Sequence, residues 1–349
     1  MMNNIIELPN YQECLDVTSH LSLPWEKLDN KNVLVTGAYG LIGSYLVDAL
    51  MHSKQNVHVY ALGRDMAKMK DRFSYYENNE RFHAIIQDIT EPFQNEIAFD
   101  YIIHAASGAS PKLYSTNPVG IMTANFLGML HILEHARKTG CERIYYVSSS
   151  EVYGDGAKNE VKENDQALIS LGNFRNCYPD SKRATETLCQ SYIRQYNLDI
   201  IIGRFSHIYG PTYTKTDDKA VAQFLNKAVE HEPIVLKSAG MQKRSYCHVA
   251  DAVNAIFYQL FLGENGEAYN IANNDSYITI ADLAATIAKI ANVEVQYDIP
   301  DEIEKAGYTP ILETNMSTEK LESLGWTPKY DIEKGIQNTI NIRSCINHE

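Results

Sequence analysis

The sequence predicts an α/β fold: a doubly wound parallel sheet followed by a smaller C-terminal substrate-binding domain. Three observations carry this. Short apolar runs alternate with stretches of helical spacing as far as residue 205, a glycine-rich turn separates the first such run from the first helix, and the rhythm loosens after Gly210-Pro211. Alternation of this kind implies parallel strands, because each parallel connection must cross back over the sheet.

Residues 1–30 read as an N-terminal arm, with Leu21, Leu23, Pro24 and Trp25 as its anchors. Asn32-Val33-Leu34-Val35-Thr36 then reads as a short buried strand, and apolar spacing predicts a helix over Leu41 to Met51. Further strands are predicted at Val57 to Leu62, Ala84 to Gln87, Tyr101 to His104, Ile144 to Ser148 and Ile200 to Arg204. Helices are predicted at Met122 to Lys138 and Lys182 to Tyr196. Residues 31–205 thus form a dinucleotide-binding domain. Residues 206–349 form mainly the second domain, with some segments returning to the first. That second part holds a polar stretch to Lys219, a helix near Val221 to Glu230, and a region punctuated by Pro300, Pro310 and Pro328.

The net charge of −13 over 349 residues argues against a nucleic-acid backbone or an anionic membrane surface as partner. Six scattered cysteines form no CxxC pair, which suits a reducing cytoplasm. Glu7, Glu13 and Asp16 interrupt the apolar stretch that a secretory signal needs, and nowhere do eighteen apolar residues run together.

Gly37-Ala38-Tyr39-Gly40-Leu41-Ile42-Gly43 stands between the first strand and the first helix. There, backbone N–H groups and the positive end of the helix can hold a pyrophosphate. An acid at the end of the second strand would hold the adenosine ribose. No acid stands at Ala61, and Arg64 can instead pair with a 2′-phosphate, which tilts the cofactor towards NADP(H) with NAD as the alternative. Asp88-Ile89, after the third strand, suits a contact to the adenine edge.

Tyr178 and Lys182 lie one helical turn apart, so the ammonium is expected to depress the phenol and leave a phenolate as general base. Tyr330 and Lys334 repeat the spacing, but there a surface helix is the plainer reading. Tyr178 follows Ser148-Ser149-Ser150-Glu151 at a strand end, where an α/β sheet gathers its active-site loops.

At this point the chain resembles an extended short-chain dehydrogenase/reductase of the nucleotide-sugar epimerase, dehydratase and decarboxylase group, with a Rossmann-type sheet. The likeness covers about residues 31–340. It rests on Thr36 to Gly43, His104-Ala105-Ala106-Ser107, Ser148 to Gly154, Tyr178 with Lys182, Arg204 with Gly210-Pro211, and Arg244-Ser245-Tyr246. Within the group, Ala106 to Pro111, Ser149-Ser150-Glu151 and Arg175 to Tyr178 are most similar to UDP-glucuronate decarboxylases, and the trio also resembles GDP-mannose 4,6-dehydratases.

The resemblance implies a catalytic set of Ser149, Ser150, Glu151, Tyr178 and Lys182. Ser149 would bond the sugar oxygen being oxidised, Lys182 would bind the nicotinamide ribose, and Glu151 would handle a proton at C5 or orient a leaving group. It implies cofactor contacts from Gly37, Tyr39, Gly40, Leu41, Ile42, Gly43, Arg64, Asp88, Ile89, Ala105, Ala106, Ser107, Asn125, Ser148, Tyr178, Lys182 and Phe205. Substrate contacts would come from Ser107, Ser149, Ser150, Glu151, His207 and Arg244, the last meeting a diphosphate, and the substrate would be a nucleotide-diphosphate sugar. The chain would form a homodimer through the helix near Met122 to Lys138 and the one at Tyr178.

Three departures from the decarboxylase pattern stand against carboxylate recognition: His207 replaces asparagine, Thr212 replaces arginine, and Ala61 replaces aspartate. The leading expectation is oxidation at C4, elimination or decarboxylation, and return of the hydride. The rivals are an NADPH-dependent reductase or an epimerase and, from another class, a non-catalytic dinucleotide sensor. His131 and His135 have ligand-like helical spacing but read as a polar helix face, with no metal expected. The acidic run Asp301, Glu302 and Glu304 reads as a solvated helix start.

Overall fold

Val33, Leu34, Val35 and Thr36 are buried in succession, as befits a strand covered on both faces. They form β1 (Asn32–Thr36) in the interior of a seven-stranded parallel sheet. The computed structural model describes residues 4–19, 23–94, 96–154, 160–165, 172–298 and 313–347. Leu21, Pro300, Pro310 and the acidic run at Asp301, Glu302 and Glu304 lie outside the described residues.

In chain order the sheet continues with β2 (His58–Gly63), β3 (Phe82–Ile86), β4 (Tyr101–His104), β5 (Arg143–Ser149) and β6 (Ile200–Phe205). Three short strands follow, β7 (His207–Tyr209), β8 (Ile234–Leu236) and β9 (Lys243–His248), before β10 (Ala268–Ile271) returns to pair with β6. The sheet order is β10-β6-β5-β4-β1-β2-β3, so the direction of winding reverses between β1 and β4. A crevice opens there at the carboxyl ends of the strands, the ligand position in doubly wound sheets. Thr36 Oγ1 lies 2.8 Å from His104 Nδ1 and accepts from Ala106 N at 3.2 Å, which ties the two strand ends together.

Helices α1 (Pro9–Ser19), α2 (Leu41–His52) and α3 (Met66–Phe73) flank the first strands. Residues before β1 enter the main core: Tyr11, Cys14, Leu15, Leu23, Trp25 and Leu28 are all buried in it. The Trp25 ring sits 4.6 Å from that of Phe257, and Tyr11 donates to Asp48 Oδ2 at 2.6 Å. Asp48 also pairs with Arg72, so one fully buried carboxylate joins α1, α2 and α3.

After α4 (Pro111–Thr116) come α5 (Pro118–Thr139) and α6 (Cys177–Tyr196), both beginning earlier than sequence periodicity suggests. Proline explains the difference. Pro118 occupies the first turn of α5 behind an Asn117 cap, and Pro179 falls in the first turn of α6, where a missing N–H costs nothing. Tyr178 and Lys182 therefore share one helix.

The remainder gathers α7 (Ala220–Val229), α8 (Val249–Leu262), α9 (Ile280–Ala291), β11 (Tyr277–Thr279), β12 (Val295–Tyr297), β13 (Glu313–Thr314), α10 (Glu319–Glu322) and α11 (Ile332–Asn347). β7, β9, β11 and β13 make a second sheet, and a separate apolar cluster lies among α7, α9 and the start of α11. Tyr330 is not on a surface helix: it precedes α11, is 2% exposed, and stacks on His248 at 4.3 Å. Aromatic packing places that ring in the core.

Candidate active site

Gly37 has a φ of +66°, and a Cβ there would come within 2.8 Å of Ala105 O and Ala106 Cα. A Cβ on Gly43 would meet Gly37 O at 2.3 Å. Only glycine allows the turn after β1 to lie this close to the loop after β4 and to the first turn of α2. Gly40 caps α2 with no side chain to bond the first-turn N–H groups. Leu41 and Ile42 lie in that first turn, with the Leu41 carbonyl accepting from Thr212 Oγ1 at 2.7 Å. The cradle fits a pyrophosphate. Ser107 Oγ, just beyond the Ala105-Ala106 pair that Gly37 faces, and Asn125 Oδ1, on α5, are each buried without a hydrogen-bond partner, as groups that meet a polar ligand would be.

β2 runs on to Gly63, so Ala61 is interior and fully buried, and the strand-end position belongs to glycine instead. Arg64 stands 3.9 Å from Asp88, its side chain 75% exposed. Asp88 accepts from Thr90 N and Oγ1, which holds its carboxyl below the ordinary value. Ile89 is buried and packs towards Gly128. Phe205 is a core residue at the end of β6.

Ser148, Ser149 and Glu151 leave the end of β5 through a short turn over Ser150–Tyr153. Ser148 donates to Glu186 Oε1 at 2.5 Å, and Glu186 is held in turn by Arg204, so this hydroxyl faces the α6 side. Ser149 Oγ caps the turn by accepting from Glu151 N at 3.2 Å, and it is close enough to the Tyr178 phenol to favour its ionised form. Ser150 is buried.

Tyr178 and Lys182 point back to β5 from the first turns of α6. Lys182 donates to Val147 O at 2.7 Å, with Nζ 5.8 Å from the centre of the Tyr178 ring. The expected depression of the phenol is not found. Burial raises Tyr178 above its ordinary value, Glu151 adds to the rise, and Ser149 and Arg175 oppose it. Burial also lowers Lys182 to about 7, against the pull of Glu186. Desolvation is the largest cause of both shifts. On the α5 side, Asn125 donates to Ser181 at 2.8 Å and Ser181 to Tyr178 O at 2.9 Å, which fixes the helix turn that carries the phenol.

Two residues that bear on the site receive no role from the sequence, although Arg175 stands in the motif that carries the resemblance. Arg175 donates to both Glu151 oxygens, at 3.0 and 3.2 Å, and lies over the Tyr114 ring at 4.4 Å. Tyr114 stacks on Tyr178 at 5.0 Å and 26°. Only their aromatic and cationic character hints at this, since α4 and the residues before α6 meet through tertiary packing.

Arg244, on β9, is 4% exposed, and Glu151 and Tyr246 lie within range of its charge. His207 lies beside Tyr246 at 5.9 Å, with Nδ1 buried and unpartnered. Burial, then the charges of Arg244 and Lys219, lower it to about 3, so the ring is neutral. His131 and His135 are not a polar face: they bond the carbonyls of Ile89 and Ile97 at 3.2 and 2.9 Å, and His135 is buried. Among the described residues no helix is long and apolar enough to cross a membrane.

The sheet order and the glycine cradle define a dinucleotide-binding enzyme of the extended short-chain dehydrogenase/reductase class. A model of the NAD dependent epimerase/dehydratase family matches residues 33–272, and the chain belongs to that family. UDP-glucuronic acid decarboxylase 5 of Arabidopsis thaliana is 33% identical over 307 residues, taking in 88% of this chain and 87% of the relative. Among solved structures, UDP-glucose 4-epimerase of Thermotoga maritima superposes with a TM-score of 0.78 at 24% identity, covering 89% of this chain and 98% of that one. UDP-glucuronic acid 4-epimerase of Bacillus cereus, in complex with UDP-glucuronic acid and NAD, gives 0.77 at 23% identity, again over 89% and 98%.

Proposed function

We propose that this enzyme modifies a nucleotide-diphosphate sugar by oxidising it at C4, acting at C5, and reducing it again. The observation that carries the reading is Glu151, a carboxylate two residues beyond Ser149 and within electrostatic reach of both Tyr178 and Arg244. The cradle from Gly37 to Gly43, with Ser107 and Asn125, would hold the dinucleotide. The family's NAD dependence and the NAD in the Bacillus cereus structure support NAD as the resident form. Arg64 leans on Asp88 in the exposed position described above, which gives the expected NADP(H) bias no support.

When bound, an oxidised dinucleotide accepts the C4 hydride, and its positive nicotinamide ring favours the phenolate. Tyr178 takes the C4 hydroxyl proton while Ser149 bonds that oxygen. A C4 ketone weakens the bonds at C5, so a C5 carboxylate leaves as carbon dioxide, or a C5 proton and C6 hydroxyl leave as water. Glu151 would relay a proton from solvent to C5 in the first case, and in the second would take the C5 proton and pass it to the departing C6 hydroxyl. In the first case Tyr178 would return its proton to the C4 oxygen as hydride is restored to C4; in the second, hydride would be restored at C6 and a proton at C5, and the C4 ketone would remain. Arg244 would meet the diphosphate. Residues 31–205 serve the cofactor and 206–349 mainly the sugar nucleotide.

A second reading, as an epimerase or reductase, is favoured by Thr212 and His207. The Thr212 hydroxyl is committed to Leu41, and His207 is neutral, so neither offers a cation to a sugar carboxylate. The proposed homodimer would pack α5 and α6 against their symmetry mates. Exposed Val119, Met122 and Phe126 on α5 suit such a contact.

Incubation with UDP-glucuronate, UDP-glucose and dTDP-glucose, with products read by mass spectrometry, tests the proposal. Loss of carbon dioxide or water without net consumption of dinucleotide supports it. An isobaric product, or one reduced at the expense of added NADPH, favours the second reading.

A further inference from the structure

At Gly63, the last residue of β2, a Cβ would fall 2.3 Å from Tyr39 Cε1 and 2.8 Å from Cδ1. Tyr39 comes from the glycine cradle itself, so its ring fills the room that a side chain at the strand end would use. That strand end is where a doubly wound sheet places the acid that bonds the adenosine ribose and repels a 2′-phosphate. The neighbouring charged group is a cation: Arg64, three-quarters exposed and 3.9 Å from Asp88. Asp65 is committed to capping α3, accepting from Lys68 N at 3.1 Å.

We propose that Tyr39 is a specificity-determining residue: by excluding a carboxylate from position 63 it leaves the ribose end tolerant of a 2′-phosphate, so the enzyme binds NADP nearly as well as NAD. This rests on the crevice holding a dinucleotide, as argued above. A dinucleotide held by the cradle would bring its adenosine ribose towards Tyr39 and Arg64, where either a 2′-hydroxyl or a 2′-phosphate would be admitted. Asp88 competes with the phosphate for Arg64, which keeps the tolerance from becoming a strong NADP preference.

Calorimetric titration of the full-length protein with NAD and NADP tests this without reference to turnover. Wild-type affinities are expected within about tenfold of each other, and a larger preference for NAD overturns the proposal. Tyr39→Ala with Gly63→Asp makes room for the acid and supplies it. The NAD-over-NADP ratio should then rise by about tenfold or more, the worth of one hydrogen bond to a charged group, and a smaller rise overturns the proposal. Gly63→Asp alone should bind both dinucleotides worse than the double variant, because the ring still stands in the way. If the double variant does not fold, the wild-type ratio decides. Binding of neither dinucleotide would overturn the reading of the crevice and this inference with it.

Discussion

Arg175 grips Glu151 with two hydrogen bonds, at 3.0 and 3.2 Å, and its guanidinium lies over Tyr114, which stacks on Tyr178. The proposed C5 group and the proposed C4 base are thus joined through two residues that themselves need not touch the sugar. Arg175→Met should lower kcat by about tenfold or more, because Glu151 loses its orientation and charge partner together. Arg175→Lys keeps the charge without the fork and should lie between. Equal kcat in wild type and Arg175→Met, measured with the substrate of the wild-type enzyme, would remove Arg175 from the mechanism.

Tyr178→Phe keeps the ring, and with it the stack on Tyr114, but removes the ionisable hydroxyl. Hydride transfer should become undetectable while the dissociation constant for the dinucleotide stays within about threefold, less than a single hydrogen bond is worth. Stopped-flow absorbance and titration calorimetry separate the two. Wild-type turnover in this variant would sink the catalytic assignment.

Lys182 gives a pH dependence of known sign. Burial lowers it from an ordinary lysine value of 10.5 to about 7. Between those values the unfolded chain carries a proton that the folded chain lacks, so this group's contribution to stability rises with pH across that window. Below about pH 7 both states are protonated and the burden is full. Lys182→Met should therefore melt higher than wild type near the folded-state value of about 7, by a margin that shrinks towards 10.5. A margin that is constant or grows with pH contradicts the assignment, as calorimetry at matched ionic strength would reveal.

Asp48 is fully buried and serves Tyr11, Arg72 and Tyr75. Asp48→Asn leaves the Arg72 guanidinium without its counter-charge, and removing one partner of a buried pair typically costs about 3 to 5 kcal/mol. Denaturant unfolding should report a loss of that order, with early exposure of α1 to protease. A change below about 1 kcal/mol, within the range of an exposed pair, would mean that Arg72 finds another partner.

The main sheet is legible in the sequence because β1, β4 and β6 carry apolar runs that a buried parallel strand explains. The glycine cradle is legible for the same kind of local reason: strand, turn and helix are contiguous. Strand ends are less so, since nothing local shows that β2 continues past Ala61 to Gly63, whose place is decided by the Tyr39 ring. Spacing misjudges the ionisation of Tyr178 and Lys182, because it reveals a neighbour's charge but not how deeply both groups are buried. Arg175 and Tyr114 are invisible as a pair, being far apart in sequence and meeting only when α4 packs beside the start of α6.

The central claim is that Glu151 acts at C5 after oxidation at C4, and Glu151→Gln tests it most directly. The amide preserves shape and removes the carboxylate, so product formation should slow by about 100-fold, the lower end of what a general acid–base group contributes. Mixing this variant with substrate and oxidised dinucleotide in a single turnover should leave the first step intact and the second blocked. Dihydronicotinamide absorbance should then rise to nearly one equivalent per site and persist. Undiminished turnover, with no such build-up and with net consumption of added NADPH, would contradict the claim.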